Sequence, residues 1–166
     1  MKASNLPWRD VVFDAWLGHV ALEHVKSAKP RVIYVGFGET DEWAHDGRYD
    51  LVLQAANRVD QFLGRLWSTV QAMPQYRDKT TLLFTTDHGR GSGPKLWRDH
   101  GEKIDGAEGV FLAVIGPDTA ALGERVNCAA ITQSQIATTL AALLGEDFRA
   151  MSPEAAPAMA EIAPSR

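Results

Sequence analysis

A single cysteine, Cys128, occurs in the 166 residues, so no intrachain disulfide can form and no thiolate cluster can hold a metal. A basic surplus is missing too. The formal net charge is -4 and there is no long Lys/Arg run, which removes the counterion-release footprint by which proteins hold polyanions. Nucleic acid is not an expected partner. No apolar stretch reaches the roughly 20 residues that cross a bilayer, and Met1 to Asp10 lacks the apolar centre of a signal peptide. The expectation is a soluble chain, cytoplasmic as it stands, with no membrane contact. No internal repeat is found.

The chain is 45% hydrophobic, enough to bury one substantial core, and its length suits one domain. Apolar residues Phe13, Leu17, Val20 and Ala21 recur at helical spacing between Asp10 and about Ser27, and Pro30 follows a helix end. Arg31 to Phe37 is a β-branched and aromatic run closed by glycine, which predicts a buried strand. A long amphipathic helix is predicted next, with Val52, Ala55, Val59, Phe62, Leu66 and Val70 on one stripe, ending at Met73-Pro74.

Thr80 to Thr86 and Val110 to Ile115 read as two further buried strands. The long connection between them, Asp87 to Gly109, is rich in glycine and charge, as functional loops are. The last predicted helix covers about Ile131 to Leu144, with Thr132 and Gln135 as a capping box and Gly145 at its left-handed end. The expected organisation is one α/β domain over residues 1–149 and a disordered Ala/Pro-rich tail over 150–166.

Three short segments concentrate the chemistry: Asp41-Glu42-Trp43-Ala44-His45, Thr86-Asp87-His88-Gly89 and His100-Gly101. They supply two carboxylates and three imidazoles where apolar strands give way to loops. This is ligand chemistry for a divalent cation, zinc first, and a catalytic zinc keeps one position open for water or substrate. A metal-dependent hydrolase is the leading expectation.

Each segment also has an ordinary reading. Asp41 and His45, four apart on a helix, make a common surface ion pair. Asp87-His88-Gly89 is good turn chemistry, and both side chains can reach one metal only if Gly89 lets the backbone turn sharply. His100 alone is a loop histidine. The metal reading rests on the three together. His19 and His24 fall inside the first helix and are left out of the site. Trp43 and Trp97 are expected to anchor loops. Arg90, Lys95 and Arg98 are candidates to meet an anionic substrate, and solvated loop charges serve equally well as an explanation.

With these residues laid out, Pro30 to Gly145 resembles the C-terminal half of the alkaline phosphatase superfamily, which includes phosphodiesterases, cofactor-independent phosphoglycerate mutases and sulfatases. The resemblance is carried by the strand leading to Gly38-Glu39-Thr40-Asp41 and His45, the long helix, and the strand leading to Thr86-Asp87-His88-Gly89. It continues through His100-Gly101, Gly116-Pro117 and the closing helix with Thr138, Thr139, Leu140 and Leu144-Gly145.

The resemblance implies a three-layer sandwich, helices around a mainly parallel sheet, as a truncated alkaline-phosphatase-like core. It further implies that Asp41, His45 and His100 hold one metal and that Asp87 and His88 belong to a second. Zinc is the first choice, one ion or two, with manganese or magnesium as the harder alternatives. Arg90 and Lys95 would face a small-molecule phosphate ester. The family's first strand, with a metal-binding aspartate and a Ser/Thr nucleophile, finds no counterpart among the residues before Pro30. None of Thr40, Thr85, Thr86 and Ser92 is marked as a nucleophile by its spacing. Two functions are therefore carried forward: hydrolysis of phosphate mono- or diesters, and a non-catalytic metal-binding or assembly module that self-associates through an exposed sheet edge.

Overall fold

The computed structural model of the chain describes Trp8 and residues 11–126 and 128–163. The fold is mixed helix and small sheet, and it divides into two compact units. One unit takes the described residues up to Arg77 together with His88–Val110; the other takes Asp78–Asp87 and the described residues from Phe111 onward.

In the first unit, helix α1 spans Asp14–Ala28, α2 Glu39–His45, α3 Tyr49–Ala72 and the short α4 Gly93–Leu96. The expected start of α1 at Asp10 lies outside the described residues. On α1, Gly18, Ala21 and Val25 turn inward; on α3, Ala55, Val59, Phe62 and Val70 do so, the stripe its periodicity predicts. Both α1 and α2 pack on α3. Contact between α1 and α3 is close at Gly18, where a Cβ would stand 3.0 Å from the Phe62 ring. Phe37 meets the same ring edge to face, with centroids 5.0 Å apart.

Helices α1 and α2 cap one another with carboxylates. The first N–H groups of a helix have no partner inside it, and a carboxylate oxygen is a strong acceptor for them. Asp14, at the start of α1, accepts from the N–H groups of Gly38 (3.0 Å) and Glu39 (3.3 Å) at the start of α2. Glu39 in turn accepts from the Asp14 N–H at 2.8 Å. Both carboxylates are 3% exposed. The second Glu39 oxygen pairs with the Arg58 guanidinium of α3 and receives the Trp43 indole N–H at 3.4 Å. The second Asp14 oxygen is buried with no hydrogen-bond partner among the described residues.

The expected buried strand Arg31–Phe37 is not a strand. No ladder partner lies beside it among the described residues, and Val32, Ile33 and Tyr34 are 54%, 39% and 91% exposed. The composition favours strand, but a strand needs a neighbour to accept and donate its backbone hydrogen bonds, and composition cannot supply one.

The second unit holds the sheet. Strands β1 (Leu82–Thr85) and β2 (Leu112–Ile115) pair antiparallel, Leu82 opposite Ile115 and Thr85 opposite Leu112. Among the described residues the sheet has two strands, so the expected mainly parallel sheet is replaced by one antiparallel pair. An apolar, β-branched run marks a strand but does not by itself state the direction of its neighbour. A 3-10 turn at Gln133–Gln135, with the capping box of Thr132 and Gln135, leads into α5 (Ile136–Leu143), and Gly145 follows at a φ of 82°.

The segment after Arg149, expected to be disordered, contains the end of α6 (Phe148–Met151) and buried Met159, Ile162 and Ala163. The Met159 N–H donates to the hydroxyl of the fully buried Thr139 at 2.9 Å, a partner supplied from 20 residues away.

The Asp14 site has a measurable pH signature. Burial pushes the Asp14 carboxyl above its ordinary value of 3.8, against the lowering effect of the Gly38 and Glu39 N–H groups; Glu39 adds to the rise and Arg58 opposes it. A carboxyl whose folded pKa is raised stabilises the fold fully below its unfolded pKa, and that contribution is lost as pH rises through the folded value. Asp14→Asn keeps an acceptor for both N–H groups and does not titrate. Urea unfolding should show the wild type losing stability relative to Asp14→Asn as pH climbs from about 4 towards neutrality. A gap between the two that stays constant with pH would contradict this.

Candidate metal centre

Residues four apart share a helix face, so α2 presents Asp41 and His45 together. His45 Nε2 stands 3.4 Å from Asp41 Oδ2. The third and fourth groups come from the loop at His88–Val110, which is folded on itself. The Gly89 N–H donates to the Ala107 carbonyl at 2.7 Å, and the Gly91 N–H to the Asp99 carbonyl at 3.0 Å. Gly89 is required by this closure, since a Cβ there would lie 2.3 Å from the carbonyl oxygens of both Gly106 and Gly109.

The folded loop returns His100 to α2. Its Nε2 lies 3.5 Å from Asp41 Oδ1 and 3.1 Å from His45 Nε2. His88 stacks on the His100 ring, with centroids 3.7 Å apart and planes 14° from parallel, and its Nε2 is 3.6 Å from Asp41 Oδ1. His88 Nδ1 lies 2.9 Å from the Gly89 carbonyl oxygen, to which it can donate as Nδ1–H. Four of the five expected ligands thus meet around one carboxylate. The fifth, Asp87, belongs to the other unit, where the Gln133 side-chain amide donates to its carbonyl at 2.6 Å.

The donor set suits a small divalent cation. Ligand atoms of Asp41, His45 and His100 all lie within 4.8 Å of one another. Bonds of about 2.0–2.2 Å in a tetrahedron put neighbouring donors roughly 3.3–3.6 Å apart; here the two imidazoles approach different Asp41 oxygens, His45 at 3.4 Å from Oδ2 and His100 at 3.5 Å from Oδ1, and stand 3.1 Å from each other. Two imidazole nitrogens at 3.1 Å repel if both present electron pairs, so a shared proton or a cation is needed between them. Three protein ligands with a remaining open position is the arrangement of catalytic zinc.

Among the expected substrate-binding cations, Lys95 is exposed on α4. Arg90 is not turned to solvent: its guanidinium pairs with the Asp41 carboxylate and also donates to the Asp41 carbonyl at 3.2 Å and the Arg98 carbonyl at 2.8 Å. Sequence reasoning missed this role. It also missed the Asp14–Glu39–Arg58 cluster; the only local signals were an aspartate at a helix start and a glutamate just ahead of the ligand pair. Trp43 packs edge to face on Trp8, and Trp97 on Tyr49, so both tryptophans tie segments of the first unit together. His19 and His24 are exposed on α1.

The family described as the Metalloenzyme superfamily matches residues 14–146. No curated protein and no solved structure matches the chain.

If these donors bind one cation, zinc must stabilise the fold. At a free concentration a hundred times its dissociation constant it should add about 2.7 kcal/mol, read as a rise in the thermal midpoint. His45→Ala and His100→Ala should each remove that rise. Equal zinc-induced shifts in the wild type and both variants would refute the assignment.

Proposed function

Since this chain belongs to the alkaline-phosphatase-like metalloenzyme superfamily, we propose that it is a divalent-metal-dependent hydrolase of phosphate mono- or diesters. The observation that carries the reading is the convergence of Asp41, His45 and His100 donor atoms in one small volume. Zinc fits two imidazoles and a carboxylate; manganese and magnesium are the alternatives that a carboxylate accepts. A cation bound there would supply Lewis-acid charge for a phosphoryl oxygen and lower the pKa of water.

The chain's own residues do the remaining work. Asp41 contributes the negative charge, and the neutral imidazoles of His45 and His100 contribute electron pairs. His88 adds its imidazole beside Asp41, with Nε2 3.6 Å from Oδ1, and Asp87 is proposed as a ligand of a second ion. Lys95 is an exposed cation available to a phosphate group, and Arg90 adds positive charge beside Asp41.

The test is turnover of an aryl phosphate and an aryl phosphodiester by zinc-loaded protein. Activity should vanish with chelator, return with metal, and fall by at least about 100-fold in His45→Ala, as expected when an essential ligand is lost. Wild-type turnover in that variant under limiting zinc would end the proposal.

A second reading is favoured by the exposure of Val32, Ile33 and Tyr34: a metal-holding assembly module without turnover. It requires self-association. Light scattering on size-exclusion fractions should then give a dimer or larger species, and Ile33→Lys should dissociate it. A monomer at all concentrations would remove this reading.

A further inference from the structure

The metal-binding part of the proposed function leaves open what holds the ligands of α2 against a ligand from a loop 55 positions further along the chain. We propose that Arg90 is a positioning residue that clamps the loop bearing His100 onto the helix bearing Asp41 and His45.

The guanidinium is placed as a bridge. On one side it meets both the carboxylate and the backbone carbonyl of Asp41. On the other side Nη1 donates to the carbonyl of Arg98, two residues before His100, at 2.8 Å. Arg90 is itself tethered at its own backbone, because the next residue, Gly91, donates its N–H to the Asp99 carbonyl. One side chain therefore joins α2 to both arms of the loop. The partners are partly shielded, with side chains 22% exposed for Arg90 and 34% for Asp41.

Chemistry explains why this position wants arginine. The guanidinium is a rigid planar fork whose donors diverge at fixed angles, so it can address a carboxylate and two carbonyls at once. A lysine ammonium supplies the same charge from a single point. A carboxylate that binds metal is commonly held by a further hydrogen bond, which fixes the oxygen it turns to the ion. Here the guanidinium takes Oδ1, while Oδ2 faces His45.

Two opposing effects follow from the clamp. Positive charge beside Asp41 repels a dication, whereas an ordered loop spares the ion the entropy cost of bringing His100 into place. The charge is screened by water because both groups are partly exposed. The loop must be ordered in full for His100 to serve. Ordering dominates, and loss of the clamp weakens metal binding.

The experiment measures zinc affinity of the full chain by competition with a chromophoric chelator, for the wild type, Arg90→Ala, Arg90→Lys and His45→Ala, with far-UV circular dichroism on each. Arg90→Ala should bind zinc roughly 10–100-fold more weakly, and Arg90→Lys, which keeps the charge and loses the fork, should fail to restore full affinity. Unchanged affinity in both Arg90 variants, or tighter binding in Arg90→Ala, overturns the clamp. His45→Ala separates the two ideas. If it loses zinc while the Arg90 variants bind normally, the clamp is wrong and the metal centre stands; if it binds like the wild type, the metal centre itself is wrong. Should Arg90→Ala fail to fold, the Arg90→Lys affinity decides.

Discussion

Helix α2 is seven residues long, too short to hold its shape in water, and yet it must present Asp41 and His45 in a fixed direction. Its rigidity is borrowed. Asp14 of α1 holds the first N–H groups of α2, Glu39 of α2 holds an N–H of α1, and Arg58 of the long helix α3 anchors Glu39 from a third side. Neither helix start is complete without the other. The exchange fixes their relative placement through directional hydrogen bonds that apolar packing alone does not provide. Its cost is desolvation of two carboxylates against one guanidinium, an imbalance visible in the buried, unpartnered Asp14 oxygen and the raised Asp14 pKa.

The same economy of charge governs the metal centre. Asp41 is the hub: three imidazole nitrogens lie 3.4 to 3.6 Å from its two oxygens, and Arg90 pairs with one of them. A lone surface carboxylate gathers no such company, because imidazoles packed this closely must share protons or a cation to avoid electron-pair repulsion. Glu39 and Asp41 therefore stand two residues apart with opposite tasks. One faces inward and builds the helix start; the other faces the loop and gathers donors.

Legibility in the sequence followed the range of each interaction. The α3 stripe was readable because a 24-residue helix repeats its apolar contrast many times, and the Asp41–His45 pair because four residues is one helical turn. The capping box at Thr132 and the left-handed Gly145 were readable for the same local reason. Arg31–Phe37 misled because its composition expresses a preference that only a neighbouring strand can realise. The direction of the β1–β2 pair was hidden, since apolar composition is blind to it. Asp14 and Glu39 lie 25 residues apart, and Arg90 and Asp41 lie 49 apart; no periodicity joins such positions.

His88 and Asp87 show how a local motif can be divided by tertiary structure. They are neighbours in the chain, yet the boundary between the compact units falls between them: Asp87 ends the segment that carries β1, and His88 begins the loop that carries His100. Successive side chains at a strand end point to different sides, and Gly89, packed against the Gly106 and Gly109 carbonyls, commits the chain to the loop immediately afterwards. His88 consequently takes its environment from the loop, stacked on His100 and aimed at Asp41. Asp87 takes its own from the second unit, through Gln133. A motif read as one pair of ligands is thus governed by two separate sets of packing forces, and the placement of each ligand follows the element it is folded into rather than the residue it adjoins.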